Sequence, residues 1–145
     1  MPSALYTRDI LRLASAIPHL GRLERPRASA EKNSPVCGSQ VIVDVTADGE
    51  GRIAAIGQEV KACALGQASA ALMGANAIGR TAAELEAARD ALAAWLAGAR
   101  DHPGDWPGLE ALAPARGYPA RHAAILLAFA AAAEAAAIAA RADAA

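Results

Sequence analysis

Two residues carry most of the chemistry that this sequence offers. Cys37 stands in Asn33-Ser34-Pro35-Val36-Cys37-Gly38-Ser39, a Pro/Gly loop just ahead of a strand. Cys63 stands in Lys61-Ala62-Cys63-Ala64-Leu65-Gly66-Gln67-Ala68-Ser69, where a strand gives way to a helix. A thiol at a helix N-terminus faces the positive end of the helix dipole, and Lys61 adds to that field, which favours the thiolate. A meander returns the chain to near its start, so both thiols can lie at one end of a sheet. Two thiolates meeting there point to metal binding, a persulfide relay or a disulfide. The alternative is that both are small buried hydrophobes, a common fate of free cysteine.

No other constellation competes with the cysteines. The glycines of Asp48-Gly49-Glu50-Gly51 make a hairpin turn, and nothing resembles a phosphate-binding loop. Ser34, Ser39 and Ser69 lack a neighbouring His–acid pair, so a hydrolase triad has no support. His19 and His102 read as solvated surface residues, and Glu84, Glu86 and Asp90 as a solvated helix face shared with Arg89. Trp95 sits on an apolar helix face, whereas Trp106 is placed to anchor a long loop.

The elements that must position the thiols follow from periodicity. Leu5, Ile10, Leu13 and Ile17 space out an amphipathic helix that Pro18 and Gly21 close. Arg22 to Pro35 is polar and predicts a surface connection. Val41, Val43 and Val45 then lie on one face of a strand, with Gln40, Ile42, Asp44 and Thr46 on the other. Residues 52–57 run back as a second strand, and 58–61 as a further short one after Gly57. From Cys63 onward the period is helical: Leu65, Ala68, Leu72, Ala75 and Ile78 mark one helix, ended by Gly79. Thr81-Ala82-Ala83-Glu84 is a capping box for the next, which buries Leu85, Ala88, Leu92 and Trp95 and stops at Gly98. A loop spans 100–107, Leu109 to Leu112 form one helical turn, and Pro119 opens a last helix reaching about Arg141. The expected fold is α+β: an N-terminal helix, a small three-stranded antiparallel sheet, then helices packed on one face, in a single domain of residues 1–145.

Composition narrows the partners. The 145 residues carry 14 basic and 15 acidic side chains, a formal net charge of −1, with no basic block to neutralise phosphates. Nucleic acid is therefore not the expected partner. Alanine accounts for 43 residues, which favours helices that approach one another closely. The apolar stretch Ala123 to Ala140 approaches a membrane span in length, but alanine gains almost nothing in lipid, so a soluble core helix is expected. Residues 1–13 carry Arg8, Asp9 and Arg12 within their apolar stretch, unlike a signal peptide. Two cysteines without such a signal point to the reducing cytoplasm.

Four motifs in order resemble the iron–sulfur cluster assembly scaffold family of IscU, SufU and the N-terminal domain of NifU, over nearly the whole chain. They are Leu5-Tyr6 followed by Pro18 and Gly21-Arg22-Leu23; the Cys37 loop, which resembles the family's Asn-Pro-Xaa-Cys-Gly-Asp; Cys63 at the start of an Ala/Ser-rich helix; and Leu109-Glu110-Ala111-Leu112 with Tyr118-Pro119-Ala120-Arg121. The last pair, and the long segment from Gly98 to Pro119, are most similar to the SufU branch. The resemblance implies a SufE/NifU-like scaffold fold and a site of three Cys and one Asp.

Against that pattern the chain departs at three positions, besides one additional residue before Pro35 in the Cys37 loop. Aligned from Pro119, Ala124 falls where the third cysteine stands and Ala123 where a His or Lys precedes it, while Ser39 replaces the Asp. Two thiols are too few for a cluster or a tetrahedral zinc site within one chain. His122 is the candidate replacement ligand, with Ser39 and water as weaker donors. The resemblance thus implies a scaffold or sulfur carrier rather than a classical enzyme. It would bind iron, an iron–sulfur cluster or zinc through Cys37 and Cys63, with a cysteine desulfurase and other assembly factors as partners, and a second copy of the chain as a source of ligands. The competing reading is a non-catalytic paralogue that binds or regulates a desulfurase or another assembly factor without a working metal site.

Overall fold

The protein, described here from a computed structural model covering residues 5–35 and 38–144, is organised around a three-stranded antiparallel sheet in the order β1-β2-β3. The strands are β1 (Ala28–Ser34), β2 (Ser39–Ala47) and β3 (Ile53–Lys61). Register places Ala30 opposite Val43 and Ser34 opposite Ser39, then Val43 opposite Gln58 and Gln40 opposite Lys61. One face therefore presents Ala28, Ala30, Val41, Val43, Val45, Ile56 and Gln58, all buried. The helices cover that face.

Two strand expectations need correction. β1 occupies part of the segment read as a surface connection. Its inward residues are Ala28, Ala30 and Ser34, small side chains of low strand propensity that hide the alternation from a sequence pattern. Conversely, the two strands expected at 52–57 and 58–61 are one strand, because Gly57 does not break the chain. A Cβ at Gly57 would stand 2.5 Å from the Gly21 carbonyl oxygen, so glycine serves a close backbone crossing there.

That crossing belongs to a strap over the other face of the sheet. Gly21 N–H donates to the Gln58 carbonyl and Gln58 N–H to the His19 carbonyl, after which the chain turns across Gly57 to β2. Asp44, fully buried, receives both Arg22 guanidinium nitrogens (2.7 and 2.9 Å), the Leu23 amide (3.0 Å) and the Ser29 hydroxyl (2.5 Å). Burial alone would push this carboxyl up; the hydrogen bonds outweigh it, and its pKa lies below the ordinary value.

The helices are α1 (Arg8–Ala14), α2 (Ala64–Asn76), α3 (Ala82–Leu96) and α4 (His122–Ala144), with 3₁₀ segments at Leu109–Gly117 and Pro119–Arg121. The Thr81/Glu84 capping box opens α3, as predicted, and α3 buries Leu85, Ala88, Leu92 and Trp95. α2 ends earlier than expected, at Asn76, and Ile78 is about half exposed. α4 is long and apolar enough to cross a membrane, yet most of that stretch is buried inside this fold. Its alanines at 124, 128, 131, 132, 135, 136 and 139 let it lie close on β1 and β2 and against α2 and α3.

Candidate functional site

Three chain segments converge at one end of the sheet. Gln40 pairs with Lys61, so the described residues Pro35, Gly38 and Ser39 lie at the end where β3 runs into α2. α4 arrives there too. Its Ala142 carbonyl accepts from Arg27 and its Glu134 pairs with Lys32 (3.1 Å), so travelling along β1 toward Ser34 leads back toward the start of α4. The starts of α2 and α4 then touch. A Cβ at Gly66 would meet the Ala62 Cβ at 2.7 Å and the Ala124 carbonyl oxygen at 3.3 Å. Three residues on, the buried Ser69 hydroxyl donates to the Ile125 carbonyl. Neither Gly66 nor Ser69 was singled out as a positioning residue from sequence; their spacing of three on one helix face was the available signal.

Cys63 is the N-cap of α2, extended at φ −65° and ψ 170°, half-buried and a free thiol. Its side chain makes no capping hydrogen bond, and its carbonyl accepts the Gln67 amide. The Cys63 side chain therefore satisfies none of the first-turn amides of α2. Cys37 lies outside the described residues. Gly38, which follows it, has φ +70°, a left-handed conformation that suits glycine, and its N–H donates to the Ser34 carbonyl.

Ser39 is buried at the first position of β2, on the face that α4 covers. Ala124 is 1% exposed, against α2 as described, whereas its neighbour Ala123 is exposed. α4 begins at His122 and is preceded by the 3₁₀ turn that Pro119 opens, three residues later than the expected helix start. The His122 Nε2 lies 2.9 Å from the Ala115 carbonyl oxygen and must carry the hydrogen toward it, leaving Nδ1 as the nitrogen with a lone pair. Among the described residues, no group of three or more His, Cys, Asp or Glu side chains is gathered closely enough to hold a metal ion.

A small antiparallel sheet covered on one face by helices, with a cysteine at the junction of sheet and helix, makes this an α+β domain. The chain is 39% identical to the N-terminal part of a nitrogen-fixing NifU-like protein from Brucella abortus, over 95% of this chain and 96% of that one, with a TM-score of 0.88. A protein from the thermophile Fervidobacterium islandicum, described as an iron–sulfur cluster assembly scaffold for the SUF system, superposes with a TM-score of 0.84. It covers 94% of this chain and 99% of that one at 21% identity. The chain belongs to the NifU-like family of iron–sulfur cluster assembly scaffolds. No family model and no curated protein matches it.

Proposed function

We propose that the protein takes part in iron–sulfur cluster assembly, with Cys63 and Cys37 as its sulfur- and metal-handling groups. The observation that carries this reading is the place of Cys63: a free, half-buried thiol at the start of α2, at the end of the sheet to which Gly38 and the start of α4 also come. Family membership supplies the reaction class. A cysteine desulfurase would present a persulfide, whose outer sulfur the Cys63 thiolate attacks. The new S–S bond forms to Cys63, the partner's S–S bond breaks, its cysteine leaves as the thiolate, and the proton stays on the transferred sulfur. The setting for this chemistry is the reducing cytoplasm.

Iron, a cluster or zinc is cargo in this reading, and one chain holds it incompletely. His122 would add its Nδ1, since a histidine that ligates through one nitrogen commonly donates the other to a backbone carbonyl, as Nε2 does here. Ser39 supplies only a neutral hydroxyl. A second copy of the chain would bring the thiolates to four.

Ala124 favours a second reading. It puts a methyl group on the buried wall where the resemblance places a third cysteine, which suits a paralogue that binds a desulfurase or other assembly factor without holding metal. Mass spectrometry after incubation with a desulfurase and cysteine separates the two. The first reading expects the mass of one added sulfur on wild type, reduced in Cys63→Ser. The second expects complex formation with no added sulfur, unchanged by Cys63→Ser and Cys37→Ser.

A further inference from the structure

The strap leaves one end of the sheet's outer face open. It crosses at Gly57 and Asp44, where the Gly21 carbonyl and the Leu23 amide meet the strands. The next row toward the cysteine end is Glu31 on β1, Ile42 on β2 and Glu59 on β3, directly opposite one another. Beyond it lies the row of Asn33, Gln40 and Lys61. Ile42 is half-buried, with a carboxylate on either side. Those two residues stand about 10 Å apart from backbone to backbone, two strand spacings.

The carboxylates are oriented but not neutralised. Glu31 accepts the side-chain amides of Asn33 (3.2 Å) and Gln40 (3.1 Å), both on Oε2. The Glu59 and Lys61 side chains have no ion-pair partner among the described residues. Arg22 is the cation beside this row. The hydrogen bond and charge of Asp44 raise its pKa most, with Glu59 and Glu31 adding, but its Nε and Nη2 are both engaged by Asp44. The open row therefore carries an aliphatic centre, two anions and, at its rim, one cation.

α1 carries the complementary pattern. Ile10 is its buried side, and the opposite side presents Arg8, Leu11, Arg12 and Ser15, at steps of three and four. Leu11 is 50% exposed. Arg8, Asp9 and Arg12 have no ion-pair partner among the described residues. This face is an aliphatic centre with two cations, and one anion at the rim. The long arginine side chains span the difference between one helical turn and two strand spacings.

We infer that α1 of one copy docks on the open sheet face of another. Leu11 rests on Ile42, Arg8 and Arg12 reach Glu31 and Glu59, and Asp9 turns toward Lys61. Within its own chain α1 is packed against α2, so the seat is filled by a second molecule. The two surfaces differ, which makes the contact heterologous and lets it repeat head to tail. A two-turn helix on so small a patch belongs to the weak, transient class of interface, with charge setting its selectivity. Lys61 stands two residues before Cys63, so the docked neighbour lies beside the cysteine end. The contact uses no thiol and stands or falls apart from the sulfur chemistry.

Sedimentation velocity of the full chain under reductant, from about 10 µM to about 1 mM, tests this in the range of weak association. The average mass is expected to rise with concentration at low salt and to fall toward the monomer at about 0.5 M salt. Arg8→Glu places an acid in the first turn of α1, where the helix tolerates it. That variant and Glu59→Lys should each weaken association by about tenfold or more, with unchanged thermal melts. Leu11→Ser, a charge-neutral change, should weaken it in the same direction. Mixed in equal amounts, Arg8→Glu and Glu59→Lys should associate more tightly than either alone, because each supplies the surface that the other lacks. A chain that stays monomeric throughout would overturn the inference and leave this face to a different protein. Association indifferent to salt or to both charge reversals, or a mixture no tighter than its components, would overturn it equally.

Discussion

Ser69 on α2 donates its hydroxyl hydrogen to the Ile125 carbonyl on α4 across 2.5 Å, in a fully buried contact. One turn earlier, a Cβ at Gly66 would collide with the Ala62 Cβ at 2.7 Å and crowd the Ala124 carbonyl oxygen at 3.3 Å. These two small residues fix the start of α4 against the helix that Cys63 caps. Ser69→Ala should lower stability by about 1–3 kcal/mol, the usual penalty for losing a buried hydrogen-bond partner. Gly66→Ala should also destabilise, since its steric strain of about 1–3 kcal/mol exceeds the gain in helix propensity of at most about 1 kcal/mol. Urea unfolding measures both, and unchanged midpoints would remove the two residues from any positioning role.

Asp44 gives the fold a defined acid limit. Burial would raise its carboxyl, but hydrogen bonds from Arg22, Ser29 and the Leu23 amide hold it below the ordinary carboxylate range. A carboxylate depressed in the folded state contributes stability above its unfolded pKa and loses it as pH falls through the folded value. The stability difference between wild type and Asp44→Asn should therefore be full at neutral pH, begin to shrink near pH 4, and continue shrinking below. Denaturation midpoints of both proteins across that range check the sign; a difference that grows on acidification would refute it.

Much of this architecture was legible in the sequence, and the failures have physical causes. Thr81 and Glu84 announced α3 because a capping box is a local contact between residues three apart. Val41, Val43 and Val45 announced β2 because large branched side chains alternate there. β1 was hidden because Ala28 and Ala30 face a helix that needs small residues beneath it. Asp44 read as an outward polar residue, since nothing local reveals that Arg22, twenty-two positions earlier, folds over it. At the site, Cys63 lies at the start of α2 as the sequence indicated, while Gly66 and Ser69 act through α4, nearly sixty residues away in sequence.

Trp106 should hold the loop over α3. Its indole packs edge-on against Phe129 at a centroid distance of 5.2 Å and donates to the Leu72 carbonyl. Trp106→Phe keeps most of the packing and loses the hydrogen bond, for an expected loss of about 1 kcal/mol. Trp106→Ala should lose about 3–5 kcal/mol. Tryptic cleavage after Arg100 should accelerate in the same order, and equal cleavage rates in all three proteins would contradict the anchoring role.

Ala124→Cys tests the departure from the family pattern. It adds a thiol at the buried junction of α2 and α4, where the resemblance places the third cysteine. The variant should retain more iron or zinc than wild type after a chelator challenge, and His122→Ala should retain less. Metal-to-protein ratios determined in parallel give the answer; identical retention in all three would detach this junction from metal binding.

The central claim is that Cys37 and Cys63 handle sulfur and metal. Its most direct test is the iron, sulfide and zinc content of protein purified and reconstituted without oxygen, compared with Cys37→Ser and Cys63→Ser. A stoichiometric load on wild type that either substitution abolishes is the expected result. A metal-free wild type, or a load indifferent to both substitutions, would contradict it.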